Sequence, residues 1–228
     1  YRKVTRKGKE LIEEWITVDE FYRLFNQLIF EVKADLFIPA GGRPETIHVG
    51  NWQQFLINGK PSARAIIEGA NSFITPEARD KLQAKGIIIM RDASANKCGV
   101  ISSSYEIIAN LLLTEKEFFA HKEQYVGDVL EILEKRAADE ARLIFRRYAE
   151  FDGTRSYTDL SAGISREINA HYARLFDYFQ QNPEIGKKTL YRKALLAHLP
   201  RILRETPRFR KRIDQLPPKY QAAILASE

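Results

Sequence analysis

The chain has 228 residues, of which 44% are hydrophobic and 29% charged, a balance typical of a soluble globular protein large enough to bury a core. Its formal net charge is +6, and the surplus lies in residues 182–228, where eleven Lys and Arg face four Asp and Glu. No apolar run approaches the length that crosses a bilayer, and a single cysteine excludes an internal disulfide, so we expect no membrane partner and a cytoplasmic location.

The first sixty residues predict a mixture of helix and strand. Residues 1–8 are basic and predicted to be extended, whereas 9–15 and 19–28 are predicted to be helical. A short buried strand at 36–38 ends at a proline, which cannot donate to a ladder. The Gly-Gly pair at 41–42 then suits a tight turn or the close approach of a ligand. Residues 47–59 predict a short helix that leads into an Asn-Gly turn.

The stretch from 63 to 106 predicts two parallel strands, each followed by a loop and a helix. Isoleucine-rich runs at 64–67 and 87–90 are too short for ordinary helices. Between them, Thr75 is a good N-cap and the glycine at 86 a good stop. Ligands bind beyond the carboxyl ends of parallel strands. We therefore expect three polar residues at that edge: Asn71, Asn96 and Ser103.

Each of these polar residues also has a purely structural explanation. Asn71 and Asn96 could satisfy their own turns. Ser103 and Glu106 have the spacing of a capping box ahead of an apolar run, and on local grounds this is the better interpretation. Glu68 is expected to order its loop rather than to transfer protons.

The second half of the chain predicts helices alone. A Thr-x-x-Glu capping box at 114–117 begins a long amphipathic helix that reaches about residue 148, and Asp-Gly at 152–153 ends it. Further helices are predicted at 156–180, 191–204 and 218–226. No spacing of cysteine, histidine or paired carboxylates indicates a metal site.

Several motifs in this order carry a family resemblance. They are EGAN at 68–71, ANKCGV at 95–100, Ser103 with Glu106, and the longer runs KADLFIPAGGRPETI and KCGVISSSYEI. Together they resemble the glutamate, leucine, phenylalanine and valine dehydrogenases, and most closely the large NAD-specific glutamate dehydrogenases. Several motifs at plausible spacing are far more specific than any one of them. The sequence departs from the family at Lys97 and Cys98, where many relatives have alanine and glycine.

The resemblance implies a fold, a cofactor and a set of site residues. The fold would be α/β: residues 1–113 would form the C-terminal portion of an NAD-binding Rossmann-like domain with a parallel sheet, and residues 114–228 an all-helical extension. The implied cofactor is NAD and the implied substrate L-glutamate. The implied cofactor-binding residues are Ala40, Gly41, Gly69, Asn71 and Asn96. Val100 and Ser103 would bind the substrate.

The motifs that are missing bear on completeness. No segment matches the pyrophosphate-binding G-x-G-x-x-G or the family's lysine motif, and the family's catalytic lysine and aspartate belong to an earlier domain. We therefore expect no catalytic residue in this chain. The chain would be an inactive fragment that depends on the missing N-terminal part of the same protein, and the full-length protein would be a homo-oligomer. The alternative is a non-catalytic regulatory or binding module whose basic tail engages nucleic acid or an acidic partner. For the tail, a solvated or docked helical face is favoured over nucleic acid.

Overall fold

The computed structural model describes residues 1–227, which form two compact units. The first unit, Tyr1–Ile89, carries the strands. The second begins at Met90 and is helical. The parallel sheet and the helical remainder agree with the expected α/β class.

The first unit opens with an antiparallel hairpin of β1, Arg2–Lys7, and β2, Glu10–Trp15. The prediction of a helix at 9–15 is therefore wrong. Gly8, with a φ of +66°, closes the turn in a conformation that favours glycine. Opposite charges then meet across the two strands, Arg2 with Glu13 and Lys3 with Glu14. These contacts join residues eleven positions apart, so local helix propensity does not register them.

Helix α1, Val18–Glu31, confirms the second predicted helix. Its N-cap is Thr17, whose hydroxyl accepts the N–H of Glu20 at 3.2 Å. Strand β3, Ala34–Phe37, follows directly, close to the predicted strand at 36–38.

The segment after β3 contains a 3₁₀ helix at Trp52–Phe55 and a small hairpin of β4, Leu56–Ile57, and β5, Lys60–Pro61. The predicted short helix and Asn-Gly turn are both present. Asn58 and Gly59 adopt positive φ values of 53° and 76° at the hairpin turn.

Strand β6, Ala63–Ile67, pairs in parallel with β3, and β7, Ile88–Met90, completes a sheet in the order β3-β6-β7. Between β6 and β7 lies helix α2, Pro76–Gln83, whose N-cap is Thr75 as predicted. The core of this unit is formed by buried residues of the sheet, α2 and the intervening loops: Ile47, Phe55, Ala63, Ile66, Ala70, Phe73, Ile74, Ala78, Leu82, Ile87 and Ile89.

The second unit is built from eight α-helices within the described residues. They are α3, Asp92–Ala95; α4, Lys97–Leu112; α5, Glu115–Glu150; α6, Tyr157–Gln181; α7, Thr189–His198; α8, Arg201–Glu205; α9, Pro207–Arg210; and α10, Pro218–Ala226. Two 3₁₀ helices, Pro183–Lys187 and Lys211–Gln215, connect them. The predicted single helix at 191–204 is wrong in one respect, because Pro200 divides it into α7 and α8.

Helix α5 begins at the predicted capping box. Thr114 accepts the N–H of Glu117, and the Glu117 carboxylate accepts the N–H of Thr114 at 3.0 Å. Arg212 donates to both oxygens of that carboxylate, at 2.6 and 2.9 Å. This guanidinium, with the Thr114 backbone, lowers the pKa of Glu117 from 4.5 to about 2.

Other cations of the basic tail also pair within the second unit. Arg201 donates to Asp128 at 3.1 Å and to Glu131 at 2.8 Å, and these carboxylates raise the pKa of Arg201 above its usual value. Arg192 pairs with Asp214 at 2.8 Å. Part of the positive surplus at 182–228 therefore meets carboxylates of α5 or of the tail itself.

Within residues 1–227, no helix is both long and apolar enough to cross a membrane.

Candidate functional site

Two loops meet at the carboxyl ends of β3 and β6. The Ala70 N–H donates to the Pro39 carbonyl oxygen at 2.7 Å. A Cβ added at Gly69 would lie 3.2 Å from that same oxygen and 3.5 Å from the Ala40 Cα. Glycine is therefore the residue that allows the two backbones to approach this closely. The structure thus brings together Ala40, Gly41 and Gly69, three of the residues predicted to bind the cofactor.

The loop after β3 leaves room beside its backbone. A Cβ added at Gly41 would have no atom within 4 Å, so open space borders this residue. Gly42 has a φ of +121°, a conformation that side chains rarely adopt. The Gly-Gly pair thus serves as a turn, and the first of the two glycines borders open space.

Asn71 is exposed at the tip of the loop after β6. Backbone hydrogen bonds anchor the following residues: the Glu45 N–H donates to the Ser72 carbonyl at 2.7 Å, and the Ile47 N–H to that of Phe73 at 3.0 Å. A loop fixed on one side with an amide at its surface can present both a donor and an acceptor to a ligand.

A buried ion pair stabilises the loop after β6. Glu68 is fully buried and Arg79 of α2 is 5% exposed. The guanidinium donates through Nε to Oε2 at 3.0 Å and through Nη2 to Oε1 at 3.2 Å. The Ile74 N–H donates to Glu68 Oε1 at 3.1 Å, and Arg79 Nη2 also donates to the Ile74 carbonyl at 2.9 Å. Glu68 orders the loop, as expected.

Sequence reasoning missed the partner, Arg79. A signal was present, because Arg79 lies between Ala78 and Leu82, both fully buried on the face of α2 that packs on the core. A charged residue beside such a face indicates a buried ion pair, since an unpaired buried charge is very costly.

The remaining candidates lie in the second unit. Asn96 ends α3 and precedes α4, with an intermediate exposure. Its Oδ1 would lie 3.5 Å from a Cβ added at Gly99. No side-chain hydrogen bond of Asn96 caps α4.

Three residues around Asn96 contact α5 and α6. The Ser94 and Ser161 hydroxyls are 2.5 Å apart. Lys97 Nζ lies 2.7 Å from Glu140 Oε2, and the Cys98 thiol donates to a carbonyl of α5, that of Leu133, at 3.8 Å. Thus both positions at which the sequence departs from the family pattern make contacts with α5.

Val100 and Ser103 are three residues apart in α4, so they lie on the same side of the helix. Both are exposed, Val100 to 77%. The capping-box interpretation of Ser103 and Glu106 is wrong. The helix begins six residues earlier, at Lys97, and the Ser103 hydroxyl donates to the Gly99 carbonyl within it at 3.4 Å.

Two cavities of about 460 and 420 Å³ lie among the helices of the second unit, and none of the candidate residues lines either. Within residues 1–227, no group of three or more His, Cys, Asp and Glu side chains could hold a metal ion.

Comparison with known proteins gives consistent results. Residues 2–151 match the family model described as glutamate/leucine/phenylalanine/valine dehydrogenase. The chain is 33% identical over 208 residues to the probable NAD-specific glutamate dehydrogenase of Schizosaccharomyces pombe, covering 86% of the chain and 18% of that protein. It is 35% identical over 206 residues to glutamate dehydrogenase 2 of Dictyostelium discoideum, covering 85% of the chain and 19% of that protein. It is 33% identical to the NAD-specific glutamate dehydrogenase of Neurospora crassa, covering 85% of the chain and 19% of that protein. The chain thus spans about one fifth of the length of these curated relatives.

Proposed function

This chain belongs to the glutamate/leucine/phenylalanine/valine dehydrogenase family, and we propose that it supplies the carboxyl-terminal part of an NAD-dependent glutamate dehydrogenase. The whole enzyme would convert L-glutamate to 2-oxoglutarate and ammonia. Residues 1–113 would contribute to the NAD-binding domain and residues 114–228 would form a helical extension. The observation that carries this proposal is the meeting of the 39–42 and 68–72 loops at the carboxyl edge of a parallel sheet.

The donor set in the first unit fits a dinucleotide. Gly41 borders open space, so the backbone of its loop can approach a ligand closely. The exposed Asn71 amide can donate to and accept from a ribose hydroxyl or a carboxamide. Asn96 belongs to the second unit, and we assign it a cofactor contact of its own. When bound, NAD supplies a hydride acceptor, and the protein's contribution is to orient it.

The substrate-binding role falls to α4. The Ser103 hydroxyl is exposed and can donate to a carboxylate, while its own helical back-bond to Gly99 is long at 3.4 Å. Val100 offers an apolar surface one turn earlier. We assign Ser103 to the distal carboxylate of glutamate and Val100 to the wall of the same pocket.

The first unit exposes an apolar edge that fits the preceding part of the same protein. Strand β3 is the outer strand of the sheet, and its flank exposes Leu36 to 48% and Ile38 to 54%. Helix α1 exposes Tyr22 and Phe25 in the same way, to 48% and 58%. Exposed apolar patches rarely remain uncovered, and an outer strand leaves backbone groups unpaired. Further strands of the NAD-binding domain would therefore pair with β3, and neighbouring elements would cover these side chains. Without them the chain alone would not turn over glutamate.

Kinetics of the full-length protein that carries this chain test the proposal. Ser103→Ala should lower kcat/KM for glutamate about 10- to 100-fold through KM, because a hydrogen bond to a charged group is lost. Ser104→Ala is the matched control, since Ser104 is exposed on the same helix and back-bonds to Ile101 at 2.6 Å. Equal kinetics for both variants would refute the Ser103 assignment.

The cofactor side has its own test. Asn71→Ala should raise KM for NAD more than KM for glutamate, because the amide would contact only the cofactor. The opposite order would remove Asn71 from the cofactor site.

A further inference from the structure

The turn that carries Asn96 is held by helices that follow it far along the chain. Lys97 Nζ lies 2.7 Å from Glu140 Oε2, and these residues are 43 positions apart. Ser94 contacts Ser161 of α6 at 2.5 Å, 67 positions away. Ser161 is fully buried, so this contact lies inside the helical packing.

The Lys97–Glu140 ion pair is half-hidden from solvent. The Lys97 side chain is 28% exposed and that of Glu140 is 14% exposed. Glu140 Oε1 is buried and has no hydrogen-bond partner among the described residues, so the Lys97 ammonium is the contact that the structure gives this carboxylate. A carboxylate in such a place strongly favours a nearby cation, because an unpaired charge there is costly. The pair therefore resists separation more than an exposed ion pair does.

The ion pair also restrains the position of Asn96. Lys97 is the next residue in the chain and the first residue of α4, so its position fixes the backbone from which the Asn96 side chain extends. Helix α5 has 36 residues, and the Cys98 thiol contacts its Leu133 carbonyl about two turns before Glu140 is reached. The turn is thus attached to the long helix α5 at two points, Lys97 and Cys98.

We propose that the helical extension positions the cofactor-binding turn, and that Lys97 and Glu140 are the positioning residues. This inference rests on the proposed contact of Asn96 with NAD. In this role the pair itself would contact neither the cofactor nor the substrate. It holds Asn96 in place, so the extension would orient the cofactor through this residue.

The first test uses the 228-residue chain and its only cysteine. Cys98 is partly buried against α5, so the rate at which a thiol reagent modifies it reports undocking of the turn. Glu140→Gln should raise that rate about 3- to 30-fold. Asp139→Asn is the matched control, because Asp139 forms an exposed ion pair with Arg142 on the same helix and should leave the rate unchanged. An unchanged rate in Glu140→Gln, or an equal rise in both variants, overturns the proposal.

The second test uses steady-state kinetics of the full-length protein. Lys97→Ala and Glu140→Gln should each raise KM for NAD about 3- to 30-fold with KM for glutamate little changed, and Lys97→Arg should restore most of the loss. If the pair has only a structural role, its variants would lower the fraction of active enzyme and leave KM for NAD unchanged. That result would count against the proposal.

Asn96→Ala separates this inference from the function on which it rests. If it raises KM for NAD and the Lys97 and Glu140 variants do not, the positioning role is wrong and the proposed function stands. If Asn96→Ala leaves KM for NAD unchanged, the cofactor role of Asn96 fails and the positioning proposal fails with it. In that case a raised Cys98 rate would show only that the turn is docked.

Discussion

Replacing Arg79 with methionine should destabilise the first compact unit by about 3–5 kcal/mol, because it leaves a buried carboxylate without its cation. Glu68 is fully buried, and the change removes two charge-assisted hydrogen bonds of 3.0 and 3.2 Å. It also removes the 2.9 Å bond to the Ile74 carbonyl. Methionine keeps most of the side-chain volume, so the loss reports the charge rather than a cavity.

The loss should depend on pH in a defined direction. In Arg79→Met, burial without a cation raises the pKa of Glu68 in the folded state above its unfolded value. A raised folded pKa contributes stability below the unfolded pKa and loses it as pH rises. The difference in stability between Arg79→Met and the parent protein should therefore be smallest in mild acid and largest at neutral pH.

A double-mutant cycle isolates the pair. Glu68→Gln together with Arg79→Met should cost less than the sum of the two single changes, with a coupling of about 1–3 kcal/mol. Arg64→Met is the matched control, because Arg64 makes only an exposed contact of 3.8 Å with Asp35 and should cost less than about 1 kcal/mol.

Denaturant unfolding followed by tryptophan fluorescence provides the measurement. Trp15 and Trp52 both lie in the first unit, so the signal reports that unit alone. A coupling below about 0.5 kcal/mol, or equal losses in Arg79→Met and Arg64→Met, would refute the argument that Glu68 and Arg79 depend on each other.

Three further changes have expected outcomes. Arg212 holds the folded pKa of Glu117 at about 2, so the carboxylate contributes stability that is present above about pH 4.5 and lost as pH falls towards 2; Glu117→Gln should flatten this acid dependence in circular dichroism. Asp128→Ala should cost the second unit about 1–3 kcal/mol in denaturant unfolding, because it strips the buried Ile202 N–H of an acceptor at 2.7 Å. Gly69→Ala should cost the first unit about 1–3 kcal/mol by tryptophan fluorescence, since its Cβ would lie 3.2 Å from a backbone oxygen.

Matched changes control these outcomes. Glu115→Gln removes a carboxylate from the same first turn of α5 and leaves the Glu117–Arg212 contacts in place, so the acid dependence should persist. Asp139→Ala removes an exposed acid of α5 and should cost little. If either control variant changed stability as much as its test variant does, the contact removed by the test variant would not be the cause of the change. A Gly69→Ala variant as stable as the parent would show that the two loops separate without cost.

The most accurate sequence predictions came from local signals. Thr75 and the Thr114–Glu117 capping box each mark a helix start where the structure has one. In both cases the groups that stabilise the helix end lie within three residues of one another, so the sequence displays the whole interaction.

The same kind of signal failed at Ser103 for an identifiable reason. The Ser-x-x-Glu spacing is present, but helix α4 already begins at Lys97. A capping box stabilises N–H groups that lack a helical partner, and six residues into a helix there are none to satisfy. The start of α4 at Lys97 coincides with contacts that no local pattern displays, those of Ser94 with Ser161 of α6 and of Lys97 with Glu140 of α5.

The sequence by itself determined the family, the parallel α/β order of the first unit and the helical nature of the remainder, because capping, periodicity and short motifs act between neighbours in the chain. Only the tertiary structure decided that β2 is a strand, that Glu68 pairs with Arg79, and that Lys97 reaches Glu140. The side-chain contacts at these places, Arg2 with Glu13, Glu68 with Arg79 and Lys97 with Glu140, join residues 11 to 43 positions apart. Their energy depends on burial and distance in the folded chain, which no local pattern records.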